Sequence, residues 1–88
     1  MPTLYSGENE AQPITSIDEI AAALPDTYPG VAMYALDNVI GFCVRVFYGD
    51  PVPGFATVTV FTRNGVDEDT LSATDAKDRF LAIARHAF

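Results

Sequence analysis

Phe55-Ala56-Thr57-Val58-Thr59-Val60-Phe61-Thr62-Arg63, residues 55–63, is the stretch that decides the fold class. Successive side chains of a strand point to opposite faces. Ala56, Val58 and Val60 therefore share one face, while Phe55, Thr57, Thr59, Phe61 and Arg63 share the other. Most of these residues are β-branched or aromatic, types that fit a pleated surface. The segment reads as a strand with one apolar face and one mixed face.

Upstream, Gly49 to Gly54 holds two prolines and two glycines and reads as a loop. Val39 to Tyr48 before it is a second strand, with Gly41 as a candidate bulge. Val31 to Leu36 is another, joined to it at Asp37-Asn38, whose side chains tolerate left-handed backbone. Still earlier, Ser16-x-x-Glu19 has the form of a capping box. Ile17, Ile20, Ala21 and Leu24 then follow one helical face until Pro25 stops the helix. Residues 1–13 are polar, contain Pro2, Gly7 and Pro13, and read as a flexible arm from which Thr3-Leu4-Tyr5 is able to add an edge strand.

Downstream, Asn64-Gly65 is a turn signal, and Asp67-Glu68-Asp69 reads as a solvated acidic turn. Ser72 or Thr74 then caps a helix running to the C-terminus, with Ala76, Phe80, Ile83, Ala84 and Ala87 as its apolar stripe. Asp75 and Asp78 fall near its start and Arg85 and His86 near its end, matching the helix macrodipole. The expected fold is α+β in the order α-β-β-β-α, with residues 14–88 as one domain. Its sheet is a three-stranded antiparallel meander, four-stranded if the arm joins, with both helices on one face. The helix-facing side carries Phe42, Val44, Val46, Ala56, Val58 and Val60. The other side is open and shows Arg45, Phe47, Phe55, Thr57, Thr59, Phe61 and Arg63. Large apolar patches on such a surface mark interaction sites.

Charge narrows the function classes. The chain of 88 residues has 12 acids against 5 bases, a net charge of −7. Six of the acids and none of the bases lie before Arg45. Nucleic-acid affinity comes largely from Lys and Arg neutralising phosphates, so this half is a poor nucleic-acid ligand, and anionic membranes are disfavoured in the same way. A hydrophobic fraction of 49% argues against disorder. Cys43 is the single cysteine and sits in an apolar run, where a thiol behaves as a small hydrophobe. No stretch approaches the ~18 apolar residues of a membrane span, and the N-terminal residues lack the pattern of a secretory signal. The expected location is the cytoplasm.

Catalytic chemistry finds few candidates. The one histidine, His86, lies at a fraying helix end, and one His with one Cys leaves a zinc site short of ligands. From Asp67, an EF-hand would need an acid or amide at position five and glycine at six, but Leu71 and Ser72 stand there. No enzyme activity, cofactor or metal is expected.

Two resemblances concern nucleic-acid binders. The order α-β-β-β-α is similar to the double-stranded-RNA-binding domain, and Ser72-Ala73-Thr74-Asp75-Ala76-Lys77 resembles that family's S-K-K-E-A-K helix start. Of the three phosphate-facing lysines, only Lys77 is present. Gly54-Phe55-Ala56-Thr57-Val58 resembles part of the RNP1 strand of RNA-recognition motifs, with Phe55 as a stacking residue. Thr57 stands where a second aromatic belongs, and Pro53 replaces the leading base. Neither resemblance assigns the chain to a family.

The leading expectation is a non-enzymatic, acidic protein-binding module whose partner has a basic surface. Small, acidic, motif-free chains are similar to phage-encoded inhibitors of bacterial defence, the anti-CRISPR and anti-restriction proteins, whose carboxylates can stand where phosphates would lie. The candidate contact residues are Asp67, Glu68 and Asp69, with Asp18 and Glu19 as a second cluster. One alternative is a homo-oligomeric accessory protein, a homodimer for example, assembled through Phe47, Phe55 and Phe61 on the open face. Another is a single-strand nucleic-acid binder using those aromatics with Arg45 and Arg63.

Overall fold

The computed structural model describes residues 2–7, 11–38 and 41–88. The chain builds one six-stranded sheet from β1 (Thr3–Ser6), β2 (Ala11–Pro13), β3 (Ala32–Asn38), β4 (Phe42–Tyr48), β5 (Phe55–Thr62) and β6 (Gly65–Ser72). Helix α1 (Ile17–Ala23) lies between β2 and β3, and α2 (Ala73–Ala84) follows β6, ending in a 3-10 turn over Arg85–Ala87. The spatial order is β2-β1-β3-β4-β5-β6, with every neighbouring pair antiparallel.

This overturns the expected three- or four-stranded α-β-β-β-α meander with both helices on one face. The chain order is β-β-α-β-β-β-β-α. The topological resemblance to the double-stranded-RNA-binding domain goes with it. The N-terminal strand is no edge: β1 pairs with β3 through Leu4↔Leu36 and with β2 through Leu4↔Gln12. The Asp67-Glu68-Asp69 segment is no turn either, since it runs through the middle of β6. Strands β3, β4 and β5 stand close to the expected places, although β3 continues through Asp37-Asn38. Val39 and Ile40, expected to open a strand, lie outside the described residues.

Alternation sorts the sheet into two faces. Leu36, Val44, Val46, Tyr48, Ala56 and Val58 are buried on the face that α2 covers, with Leu4 beside Leu36. From α2, Ala73, Ala76, Phe80 and Ala84 enter the same core at spacings of three and four residues. Three alanines let the helix approach, and Phe80 fills the centre. Helix α1 adds Ile20 and Leu24, and Ile14 precedes it. One cap expectation holds and the other shifts. Ser72 accepts a hydrogen bond from the Asp75 amide at 3.3 Å and caps α2. Ser16 makes no side-chain cap bond; the Glu19 carboxylate instead accepts from the Thr15 hydroxyl at 2.5 Å and the Thr15 amide at 3.3 Å. Arg85 and His86 lie beyond α2, in the 3-10 turn.

The β4–β5 loop is shaped by Gly49. Its φ of +89° is in the left-handed region, and a Cβ there would come within 3.2 Å of Val31 and 3.3 Å of Tyr28. Only glycine meets both conditions. Its amide donates to the Phe55 carbonyl at 2.8 Å, which starts the β4–β5 ladder.

Candidate interaction surfaces

Two surfaces emerge, the outer edge of β6 and the sheet face opposite α2. Among the described residues β6 is last in the sheet and pairs only with β5. The register fixes which of its backbone groups remain outward. The Ala73 amide donates to the Gly54 carbonyl at 3.1 Å, which makes 54/73 a hydrogen-bonded pair. Such pairs alternate along an antiparallel ladder, so Leu71, Asp69, Asp67 and Gly65 bond inward to β5. The N–H and C=O groups of Val66, Glu68 and Thr70 therefore project from the sheet edge.

The side chains on this edge are acidic at three consecutive positions, Asp67, Glu68 and Asp69, all exposed. Alternation places Asp67 and Asp69 toward α2 and Glu68 on the opposite face. The Arg79 guanidinium on α2 donates to the Asp69 carboxylate at 2.7 Å, with both side chains about half exposed. An exposed pair of this kind contributes ~0–1 kcal/mol. Asp18 and Glu19 stand on α1 instead, so the two predicted acidic clusters lie on separate elements, and the Glu19 carboxylate is engaged by Thr15.

The other face is the predicted aromatic one, now wider. Cross-strand rows run Ala35–Arg45–Thr59–Glu68, Met33–Phe47–Thr57–Thr70 and Asp37–Cys43–Phe61–Val66. Arg45 lies over the Phe61 ring, 5.0 Å from its centroid, so the cation and one candidate stacking ring already occupy each other. Phe47, Phe55 and Val66 are 38%, 45% and 59% exposed. Thr57 and Thr59 are buried on this face. The Thr57 hydroxyl shares a 3.3 Å hydrogen bond with that of Thr70 and lies 3.2 Å from the Asp50 carbonyl. Arg63 ends the β5 alternation in the following turn, with its guanidinium 3.6 Å from where a Cβ on Gly41 would be.

Val66 and Glu68 join this face only because β6 is a strand, and sequence reasoning missed them for that reason. Asp and Glu are depleted in strands, so three in a row suggest a loop. The available signal was Asn64-Gly65 following a clear strand, with Val66, Thr70 and Leu71 beyond it; the turn itself falls one residue earlier, at residues 63–64, and Gly65 opens β6.

The two depressions bordered by described residues are both open to solvent. One shallow depression of about 490 Å³ lies at the end of the open face, bordered by Gly7, Val31, Met33 and Phe47. A shallower one of about 270 Å³ is bordered by Asp37, Gly41, Cys43 and Phe61. Burial pushes the Cys43 thiol up, Asp37 adds to that, and Arg45 opposes it. A thiol shifted in that direction is held protonated and is a poor nucleophile at neutral pH. Among the described residues, no group of three or more His, Cys, Asp or Glu side chains is placed to hold a metal ion. None of the described helices is long and apolar enough to cross a membrane.

No protein family, curated protein or solved structure matches the chain.

Proposed function

We propose that this domain is a non-enzymatic protein-binding module that receives a basic, extended segment of its partner along β6. The observation that carries the reading is the combination on one element. β6 offers outward N–H and C=O groups at Val66, Glu68 and Thr70, and carboxylates at Asp67, Glu68 and Asp69. An added strand takes its affinity from main-chain hydrogen bonds and its specificity from side chains on alternate faces. Lysines or arginines on either face of the incoming strand would find an acid, Asp67 and Asp69 on one side or Glu68 on the other. The net charge of −7 steers such a partner toward the domain.

Edge carboxylates also serve to prevent indiscriminate strand pairing. The two roles agree, because acids that repel another acidic edge favour a basic one. A narrower form of the proposal is inhibition of a nucleic-acid-handling machine, of the anti-CRISPR or anti-restriction kind. There the carboxylates of β6 would occupy a cationic groove in place of phosphates.

The test is affinity capture with the wild-type domain and with Asp67→Asn/Glu68→Gln/Asp69→Asn, followed by binding measurements on the captured protein across a salt series. The expected result is a basic partner whose affinity falls as salt rises and falls about tenfold or more in the variant, chiefly through slower association. Equal capture of the same proteins by both forms would refute the role of β6.

A further inference from the structure

We infer that the sheet face opposite α2 is a self-association surface through which two copies of this chain stack face to face. This goes beyond the β6 reading and does not depend on it. A solvated face of an antiparallel sheet is normally polar at its outward positions. Here the outward positions include Met33, Phe47, Phe55, Phe61 and Val66, with Phe47, Phe55 and Val66 among the most exposed large apolar residues. Helix α2 packs on the other side, and no described helix or strand covers this one, although the loop after β4 reaches over it where the Asp50 carbonyl meets the Thr57 hydroxyl.

Charge selects the occupant. The chain carries −7 overall, yet the described strands and adjoining turn give this face two acids, Asp37 and Glu68, and two bases, Arg45 and Arg63. Asp50, in the bordering loop, is a further carboxylate at the rim. A nearly neutral patch of mixed sign is a surface on which two strongly anionic molecules can meet without direct repulsion. A two-fold axis brings each copy's patch against its own counterpart, so the arginines of one can face the acids of the other. A strongly basic partner, by contrast, is drawn to the acidic edge.

The area is sufficient for a pair. Six strands of three to eight residues, at ~3.3 Å per residue and ~4.8 Å between strands, give a face of roughly 600 Å². The principal extents of 32 × 28 × 21 Å accommodate it. Two such faces bury about 1,200 Å², the lower end of the range for specific interfaces. The product is a two-sheet sandwich with the sheets ~10 Å apart, in equilibrium with monomer on dilution.

Sedimentation equilibrium over a wide concentration range tests this without any partner. The expected result is a species of twice 9.5 kDa that dissociates on dilution, together with a loss of association of tenfold or more in Val66→Glu and Phe47→Glu. Val66 is 59% exposed on the outer strand, so its substitution leaves the core intact, and circular dichroism checks this. Concentration-dependent amide shifts in the wild type should centre on β4 and β5. A wild type that remains monomeric at every concentration would overturn the inference. So would a dimer that survives both substitutions, since it would form through another surface. Failure here leaves the β6 reading standing, because no basic partner enters the measurement.

Discussion

Tyr48 joins the core to the segment after α1. It is fully buried, its hydroxyl donates to the Pro25 carbonyl at 3.2 Å, and its ring meets Tyr34 edge-on at 6.0 Å. Burial is the main cause that pushes its ionisation up to about 12, with smaller contributions from Tyr34 and Asp26. An unfolded tyrosine ionises near ~10, so alkali favours the unfolded chain. The stability Tyr48 contributes is fully present below pH ~10 and is lost as pH rises through about 12. A phenolate absorbance titration should contain one late step near that value, absent in Tyr48→Phe. The substitution should also cost about 0.5–1.5 kcal/mol at neutral pH for the lost hydrogen bond. An unchanged titration in the variant would show that Tyr48 is not the shifted group.

Among the elements, α2 contributes the covering layer and β6 the exposed edge. Phe80 is wholly buried at the centre of α2, where truncating Phe to Ala costs about 3–5 kcal/mol. A domain of this size has about 5–10 kcal/mol in total, so Phe80→Ala should be largely unfolded or close to it by thermal denaturation. A melting temperature within a few degrees of wild type would mean that Phe80 is not the centre of the core. Its burial was legible from the spacing of Ala76, Phe80 and Ala84, just as β5 was legible from the alternation at residues 55–62. Both are local periodic signals. β6 was not legible because three acids argue against a strand, and only its place at the sheet edge makes them tolerable. For another reason β1 was expected only as an optional edge strand at Thr3-Leu4-Tyr5, and β2 not at all. They are four and three residues long, and β1 reaches β3 only across the whole of α1, so no local pattern announces the pairing. The aromatic face was readable in outline from Phe47, Phe55 and Phe61. Its outer row, Val66 and Glu68, became visible only once β6 took its place.

At the scale of the molecule, charge and apolar surface are separated. On the proposed readings, the acidic edge would repel a second acidic edge and accept a basic strand, while the nearly neutral face would suit a like copy. A dimer formed through those faces would present two β6 edges to a partner, so the two readings are compatible. The central claim is that the partner pairs with β6, and amide hydrogen exchange reads it directly. Val66, Glu68 and Thr70 have amides that point outward and should exchange rapidly in the free domain. Adding the captured partner should protect these three amides by tenfold or more, with little change at Asp67 and Asp69, which already bond to β5. Protection confined to other elements, with residues 66, 68 and 70 still exchanging freely, would contradict the account.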